Sequence, residues 1–395
     1  MSKSTLQDLF GLSSPLRLPV IQAPMAGSQG SALALAVTNA GGLGSLPAAT
    51  LTPDALRAEL ELMRLQAQGP WNVNFFCHQP PQADPGREAR WRAALAPLCA
   101  EAGRPAPEGP AIAARAPFDA TVADLVEPFR PPVVSFHFGL PAPELLARVK
   151  SWGSKVLSSA TTVEEALWLQ AHGVDAIIAQ GLEAGGHRGI FLGDDLTTQL
   201  GTVALLPQIV RAVELPVIAA GGIADAAGVA AARALGAAGV QVGTAYLLCP
   251  EALTSALHRA ALQSAQAQHT ALTNVFTGRP ARGIVNRAMR ALGADGHWGG
   301  CISHQAPAFP LAATHWAPLR AWAEAEKIGL TVVGPEGALA TGVLAIRLGE
   351  KPAVTARASG VPLRATWSAL RSISVLPMPR PEDSRYSAPR VASQV

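Results

Sequence analysis

The hydrophobic positions of this chain fall into short continuous runs. Eight such runs, rich in Val, Ile and small residues, lie at 19–25, 42–47, 71–76, 133–138, 155–159, 176–180, 217–220 and 239–244. Strands that are covered on both faces have this continuous pattern, because neither side of the sheet meets water. The pattern therefore predicts eight buried strands of a parallel sheet.

Segments rich in Ala and Leu, with helical character, separate most of these strands. In two of them we expect Thr162 and Asp225 to be N-caps and Gly173 and Gly236 to follow the C-cap. The last five strands begin at 133, 155, 176, 217 and 239, so the long gap before 217 predicts an inserted loop over 181–198. Repeated β/α units favour an α/β fold of the (β/α)₈ TIM-barrel type, although an open doubly wound sheet would show a similar repeat.

The alternation of strands and helices stops near residue 250, which predicts three parts. Residues 1–250 would form the barrel, and 251–328 a mostly helical segment with a loop at 274–287 that returns to the barrel and completes its site. Residues 329–395 lack a helical period and end in a stretch rich in Pro, Ser and Arg. We expect this atypical tail to be partly disordered.

Composition and charge exclude several classes of protein. The formal net charge is +3 with no basic run, which disfavours nucleic-acid binding. The four cysteines are far apart and no metal-ligand cluster is evident, so we expect reduced thiols and no metal site. The N-terminus lacks the apolar core of a signal peptide and no run of 18 apolar residues occurs. These features predict a cytoplasmic protein without a membrane span.

Glycines cluster immediately after the predicted strands, which is where a barrel has its active site. They lie in QAPMAG (22–27), QGLEAGGHRG (180–189), AAGGI (219–223) and QVGTAYL (241–247). Bare backbone lets N–H groups approach a phosphate, and a following helix N-terminus favours an anion. The last two segments follow the seventh and eighth strands, the usual phosphate position of a barrel. The alternative is that these glycines only permit tight turns.

A family resemblance rests on these segments and their neighbours. PVIQAPMAG, GGLGSLPAA, WNVNFF, SFHFG, QGLEAGGHRG, AAGGIAD and GVQVGTAYL occur in this order between residue 18 and about residue 287. In this the chain resembles the class I nitronate monooxygenases, formerly called 2-nitropropane dioxygenases. The resemblance implies a TIM barrel that binds FMN without a metal. It also implies a detoxifying oxidoreductase that converts alkyl nitronates, or nitroalkanes, with O₂ to a carbonyl compound and nitrite.

The resemblance extends to individual cofactor-binding positions. Those that resemble the family's FMN contacts are Ala23, Met25, Asn74, Gln180, Gly185, Gly222, Gln241, Val242, Gly243 and Thr244. The last five resemble the phosphate cradle, and the first two resemble residues behind the flavin ring. Amide side chains suit the pyrimidine edge of a flavin, and a Gly/Thr loop suits its phosphate.

Two histidines resemble residues on the substrate side. His187 resembles the catalytic histidine that takes the α-proton of a neutral nitroalkane, a role that suits imidazole because its unperturbed pKa is about 6.5. His137, at the end of the fourth strand, resembles a histidine that lines the substrate pocket. The alternatives are a loop histidine hydrogen-bonded to Glu183 and an ordinary core histidine, respectively.

The chain departs from the family in its tyrosines. Only Tyr246 and Tyr386 occur, so the pocket tyrosines of several relatives are missing and the preferred nitronate stays open. Two other functions remain: an FMN-dependent NAD(P)H:quinone or enoyl reductase on the same barrel, and a non-catalytic flavin- or nucleotide-binding barrel. The expected partners are a small-molecule nitronate and O₂, with a homodimer kept as a hypothesis.

Overall fold

The structure is a computed structural model that describes residues 16–80, 84–101, 103–105 and 116–292. The predicted tail at 329–395 and the 293–328 part of the predicted helical segment lie outside these residues. The division into three parts therefore stays a prediction.

Eight strands form one parallel sheet, as the apolar runs predict. They are β1 (Val20–Gln22), β2 (Gly44–Pro47), β3 (Trp71–Phe76), β4 (Val133–His137), β5 (Lys155–Ala160), β6 (Ala176–Gln180), β8 (Val217–Ala220) and β9 (Gly239–Val242). Their order is β1-β9-β8-β6-β5-β4-β3-β2, and all neighbours are parallel. A parallel bridge between Ile21 and Leu43 brings the two edges together. The (β/α)₈ barrel is thus confirmed, and the open-sheet alternative is wrong.

Helices connect successive strands and cover the outside of the barrel. The ten in the described ranges are α1 (Ser31–Ala40), α2 (Pro53–Gln66), α3 (Pro85–Glu101), α4 (Ala120–Val126), α5 (Pro143–Ser151), α6 (Val163–Ala171), α7 (Thr202–Ala212), α8 (Ala226–Ala234), α9 (Ala256–Leu262) and α10 (Arg287–Leu292).

The predicted caps are present. Thr162 and Asp225 accept hydrogen bonds from backbone N–H groups three residues on, at 3.1 and 2.8 Å. Gly173 and Gly236 end their helices with φ of 83° and 97°. No helix in the described ranges has the length and hydropathy to cross a bilayer.

Alternation along each strand separates two apolar clusters. One cluster fills the inside of the barrel and comprises Leu16, Ile21, Leu43, Val133, Leu157, Ala176, Ile178, Ile218, Ala220 and Ala238. The other lies between the strands and the helices and includes Leu46, Val73, Phe136, Ile177 and Val240. Most of the inner apolar residues lie towards the N-terminal ends of the strands. The residues that point inward at the C-terminal ends are mostly polar.

A small antiparallel sheet lies beyond the barrel strands. It consists of β10 (Thr270–Thr273), β11 (Ala281–Ile284) and β7 (Gly186–His187), with β11 in the centre. β11 falls inside the stretch 274–287 that the sequence predicts as a loop. That prediction misses the strand because β11 has no apolar alternation and forms only where β7 and β10 supply its partners.

Candidate active site

Polar side chains surround the C-terminal end of the barrel, which we call the mouth. Each lies on the inward-facing parity of its strand, above the inner apolar cluster. The residues of this ring are Asn74, His137, Ser159, Gln180 and Gln241. The sequence analysis predicted four of these five as site residues, and Ser159 is the exception.

Glycine backbone brings several predicted FMN contacts together on one side of the mouth. A Cβ added to Gly243 would lie 3.5 Å from Ala23 Cβ and 3.8 Å from Met25 Sδ. A Cβ added to Gly185 would lie 3.1 Å from Thr244 Oγ1. These five residues come from three separate segments of the chain. The structure therefore brings these residues together in two contacts, Gly243 against Ala23 and Met25, and Gly185 against Thr244.

Gly222 follows β8 and lies against the loop that also carries Gly185. Its φ is 70°, which side chains other than glycine rarely adopt, and an added Cβ would lie 3.4 Å from Glu183 Cβ. Gly222 and Thr244 are both exposed. We call Gly222, Gly243 and Thr244 the glycine cradle. The first N–H groups of the 3₁₀ turn that begins at Thr244 have no acceptor within that turn.

The start of α8 is not part of this cradle, although the sequence suggested an anion at the following helix. The carboxylate of Asp225 already accepts the hydrogen bond of Gly228 N there, at 2.8 Å. A negative side chain at that end would repel a phosphate. Val242 contributes no side chain either, because it packs in the outer cluster and its carbonyl accepts a hydrogen bond from Ala23 N at 2.8 Å.

Two amide side chains of the ring remain able to meet a ligand. Asn74 uses only Nδ2 in its hydrogen bonds, which reach Ser135 Oγ at 2.9 Å and Ser135 O at 3.2 Å. Its Oδ1 can therefore accept a bond from a ligand. Gln241 is half-buried, and within the described part of the chain its side-chain amide has no hydrogen-bond partner. Both residues stand where the resemblance expects contacts to a flavin.

His187 lies on β7, two residues after Gly185, in the loop that follows β6. Its strand pairs with β11, with His187 opposite Ala281. Its Nε2 lies 2.8 Å from Thr277 Oγ1, and its ring centroid is 6.0 Å from that of Phe138. Glu183 accepts hydrogen bonds from Thr202 N and Oγ1, at 2.8 and 2.9 Å. Nε2 of His187 thus has Thr277 as a partner, and the pairing of His187 with Glu183 stays an alternative of the sequence analysis.

His137 is held as a neutral imidazole. Its Nδ1 lies 2.6 Å from Ser159 Oγ. Burial lowers the pKa of His137 to about 4, and the charges of Arg188 and Arg279 act in the same direction. A hydrogen bond to the backbone of His187 opposes this shift without reversing it. His137 thus supports the backbone of His187, while its predicted contact with substrate stays a prediction.

Gln180 also supports the histidine loop, residues 181–199. Its Nε2 donates to His187 O at 2.9 Å, and its Oε1 accepts from Gly189 N at 2.7 Å. One donor and one acceptor of this amide are therefore engaged inside the protein. The predicted contact of Gln180 with flavin would have to use the second N–H of Nε2 or the second lone pair of Oε1.

Arg188, which the sequence analysis missed, is completely buried beneath this loop. Its guanidinium donates to Gly181 O, Gln180 O and Gln199 Oε1 at distances of 2.6 to 3.0 Å. The signal that could have found it is a lone charge between glycines and apolar residues, in GGHRGIF. A single sequence does not show that such an arginine turns inward.

Phe138 stands between the histidines and a separate cavity. Its φ is 69°, which is unusual for a bulky residue and marks a constrained position. The guanidinium carbon of Arg279 lies 4.7 Å from its ring centroid. Beyond Phe138 is a cavity of about 660 Å³ between α5 and α6, lined among others by His78, Leu146, Trp168 and Phe191. No pattern in the sequence indicated this cavity.

Metal chemistry has no evident site in the described ranges. No group of three or more His, Cys, Asp or Glu residues there is placed to hold a metal ion. Cys77, Cys99 and Cys249 are free thiols, and Cys301 lies outside the described residues.

Sequence comparison finds a family over most of the chain. The family model described as nitronate monooxygenase matches residues 7–352, beyond the 18–287 on which the resemblance was first based. A nitronate monooxygenase of Paraburkholderia phytofirmans is 44% identical over 295 residues, which are 74% of this chain and 79% of that protein. A nitronate monooxygenase of Pseudomonas aeruginosa is also 44% identical, over 74% of this chain and 83% of that protein.

Structure comparison agrees with the sequence comparison. The crystal structure of a nitroalkane oxidase from Streptomyces ansochromogenes superposes with a TM-score of 0.68 at 36% identity. The match covers 82% of this chain and 91% of that one. Two structures of FabK from Thermotoga maritima also match, at 28% and 29% identity with TM-scores of 0.54 and 0.53.

Proposed function

The chain belongs to the nitronate monooxygenase family, and from this premise we propose that it is an FMN-dependent oxidoreductase that converts alkyl nitronates with O₂ to a carbonyl compound and nitrite. The family match and the nitroalkane oxidase neighbour support nitronate oxidation. The single observation on which the detailed proposal rests is the position of His187 on β7, two residues after Gly185, whose added Cβ would lie 3.1 Å from Thr244 Oγ1 of the glycine cradle.

The residues at the mouth fit FMN. The backbone of Gly222 and Gly243 and the hydroxyl of Thr244 would hold the phosphate. Asn74 Oδ1 would accept a hydrogen bond from the pyrimidine edge of the ring, and the Gln241 amide, which the resemblance groups with the phosphate cradle, would donate to the phosphate. Bound FMN would accept electrons from the nitronate and pass them to O₂.

The hydrogen bonds around His187 favour one tautomer. The hydroxyl of Thr277 donates to Arg279 O at 3.3 Å, so it can accept from His187 Nε2–H at 2.8 Å. With the proton on Nε2, the imidazole presents an unprotonated Nδ1. That atom can take the α-proton of a neutral nitroalkane, whereas an already anionic nitronate needs no base.

Oxygen uptake tests this proposal directly. Purified protein should be yellow with bound FMN, consume O₂ with ethyl nitronate and release nitrite. Slower O₂ uptake is expected with nitroethane, because its proton must be removed first. Flavin-loaded protein that consumes no O₂ with any short alkyl nitronate would overturn the proposal.

Two further measurements separate the alternative functions. Rapid anaerobic bleaching of the flavin by NADH, without O₂ uptake on nitronates, would indicate the reductase. Colourless protein that fails to bind added FMN would indicate the non-catalytic barrel. A detoxifying role in the cytoplasm and a homodimer stay predictions of the sequence, and size-exclusion chromatography tests the dimer.

A further inference from the structure

Arg188 follows His187 directly in the chain and is the largest completely buried side chain in the part of the chain that the structure describes. Its guanidinium contacts both ends of the histidine loop. Nη2 and Nη1 donate to the carbonyls of Gln180 and Gly181, at 2.7 and 2.6 Å, where the loop leaves β6. Nε and Nη2 donate to Gln199 Oε1, at 3.0 and 2.9 Å, where the loop ends.

A second set of bonds ties this contact to the rest of the barrel. Gln199 Nε2 donates to Thr161 Oγ1 at 3.0 Å, and Thr161 donates in turn to the buried carboxylate of Glu165. That carboxylate also accepts hydrogen bonds from the loop residues Phe191 N, at 2.6 Å, and Leu192 N, at 3.3 Å. The planar guanidinium is therefore the junction between the two loop ends and the α6 side of the barrel.

The buried charge is costly, which argues that its geometry matters. Among the described residues no carboxylate lies within ion-pair distance of Arg188, and its acceptors are neutral. Burial, followed by the charge of Arg282, lowers its pKa to about 10, so it remains protonated at neutral pH. Taking an unpaired cation out of water costs several kcal/mol. The four hydrogen bonds from this planar guanidinium offset part of that cost only if all three acceptors stay in place.

The backbone around His187 depends on this arrangement. Arg188 N donates to Pro280 O at 2.8 Å, and the Gln180 side chain binds His187 O and Gly189 N. A shift of the Gln180 backbone would therefore move the His187 backbone with it. We propose that Arg188 is a positioning residue that acts through His187: it clamps the two ends of the histidine loop and so fixes the imidazole at the mouth. The kinetic consequence of this inference rests on the proposed function, whereas the clamp itself does not.

The test compares Arg188→Met with the matched control Arg282→Met. Arg282 is also an arginine that holds this loop, through Leu182 O at 2.9 Å, but it is only partly buried. Because a displacement of about 1 Å can cost roughly 100-fold in rate, we expect Arg188→Met to lower kcat on nitroethane by about 10- to 100-fold. Turnover of ethyl nitronate should fall by less than about 3-fold, and Arg282→Met should change neither by more than about 3-fold.

A double-mutant cycle shows whether Arg188 acts through His187. In a His187→Asn background, Arg188→Met should cause no further loss on nitroethane, because no positioned base remains. If Arg188 had a merely structural role, Arg188→Met would instead lower the turnover of both substrates equally. Its effect would also add to the loss caused by His187→Asn. Those outcomes would overturn the proposal. If Arg188→Met does not fold, Arg188→Lys, which keeps the cation but not the planar donors, tests the same selective loss on nitroethane.

Hydrogen exchange provides a readout that needs no activity. Peptides within 181–199 should exchange faster in Arg188→Met than in wild type, with little change in Arg282→Met. Equal exchange in the two variants would contradict the clamp. If wild-type protein fails to oxidise nitronates, the proposed function is wrong, and the exchange experiment still decides whether Arg188 holds the loop.

Discussion

The two sides of the barrel mouth are built in opposite ways. The cradle side consists of exposed backbone at Gly222, partly exposed backbone at Gly243 and the exposed residue Thr244. The histidine side consists of a loop held from beneath by buried side chains, with Arg188 completely excluded from solvent. A bare backbone site can accept an anion without rearrangement, whereas a proton-transfer group must be held in one orientation. The contrast suggests that one side binds and the other positions.

The largest effect should come from the histidine side. Replacing His187 with Asn removes the base, and general-base catalysis contributes about 10²- to 10⁴-fold. We expect kcat/KM for nitroethane to fall by that amount, and the value for ethyl nitronate to fall much less. Steady-state oxygen uptake with both substrates measures the difference. Equal losses would mean that His187 does not abstract a proton.

A change on the cradle side should affect binding instead of proton transfer. Gly222→Val places a β-branched side chain at a φ of 70° and beside Glu183, so FMN affinity should fall by about 10- to 100-fold. Gly153→Val is the matched control, because its φ is 85° but nothing lies within 4 Å of its added Cβ. Fluorescence titration with FMN compares the two. Similar losses of affinity would show that general strain, and not the cradle, is responsible.

The buried character of the histidine side also predicts a dependence of stability on pH. The pKa of His137 is about 4 in the folded protein and about 6.5 when unfolded, so the unfolded state binds the extra proton between these values. Stability should therefore fall as the pH drops from 6.5 towards 4, by on the order of 2 kcal/mol at pH 5. Urea denaturation at pH 7 and pH 5 measures this loss. In His137→Gln the free energy of unfolding should change less with pH than in wild type. An equal change in both proteins would contradict the lowered pKa of His137.

The smallest effect should come from the hydroxyl that orients His187. Thr277→Val removes the partner of Nε2, and one hydrogen bond contributes about 0.5–1.5 kcal/mol. Turnover of nitroethane should therefore fall by about 2- to 10-fold, with Thr277→Ser restoring it. A valine variant as active as wild type would show that the bond does not set the tautomer.

The sequence predicted the two sides of the mouth unequally. The cradle was predictable because its glycines lie in short segments directly after β8 and β9. His187 was found through its family resemblance. Arg188, Gln199 and Glu165 were not found, because their hydrogen bonds join positions up to 38 residues apart along this network. Such contacts depend on the closed barrel, which brings α6 beneath the loop.

The fold shows the same division. All eight barrel strands follow from continuous apolar runs, and the capping residues Thr162 and Asp225 follow from local chemistry. β11 was missed because only its pairing with β7 and β10 makes it a strand. The direction of Gln180, towards the loop backbone, likewise could not be read from its place at the end of β6.

The central claim is that the glycine cradle holds the phosphate of a flavin at the mouth that also carries His187. Equilibrium titration of the apoprotein with FMN and with riboflavin tests this most directly, because the two ligands differ only in the phosphate. We predict that FMN binds at least about 100-fold more tightly than riboflavin, a difference of roughly 2.7 kcal/mol, and that Gly222→Val removes most of that difference. Equal affinities for the two flavins in the wild-type protein would contradict the account.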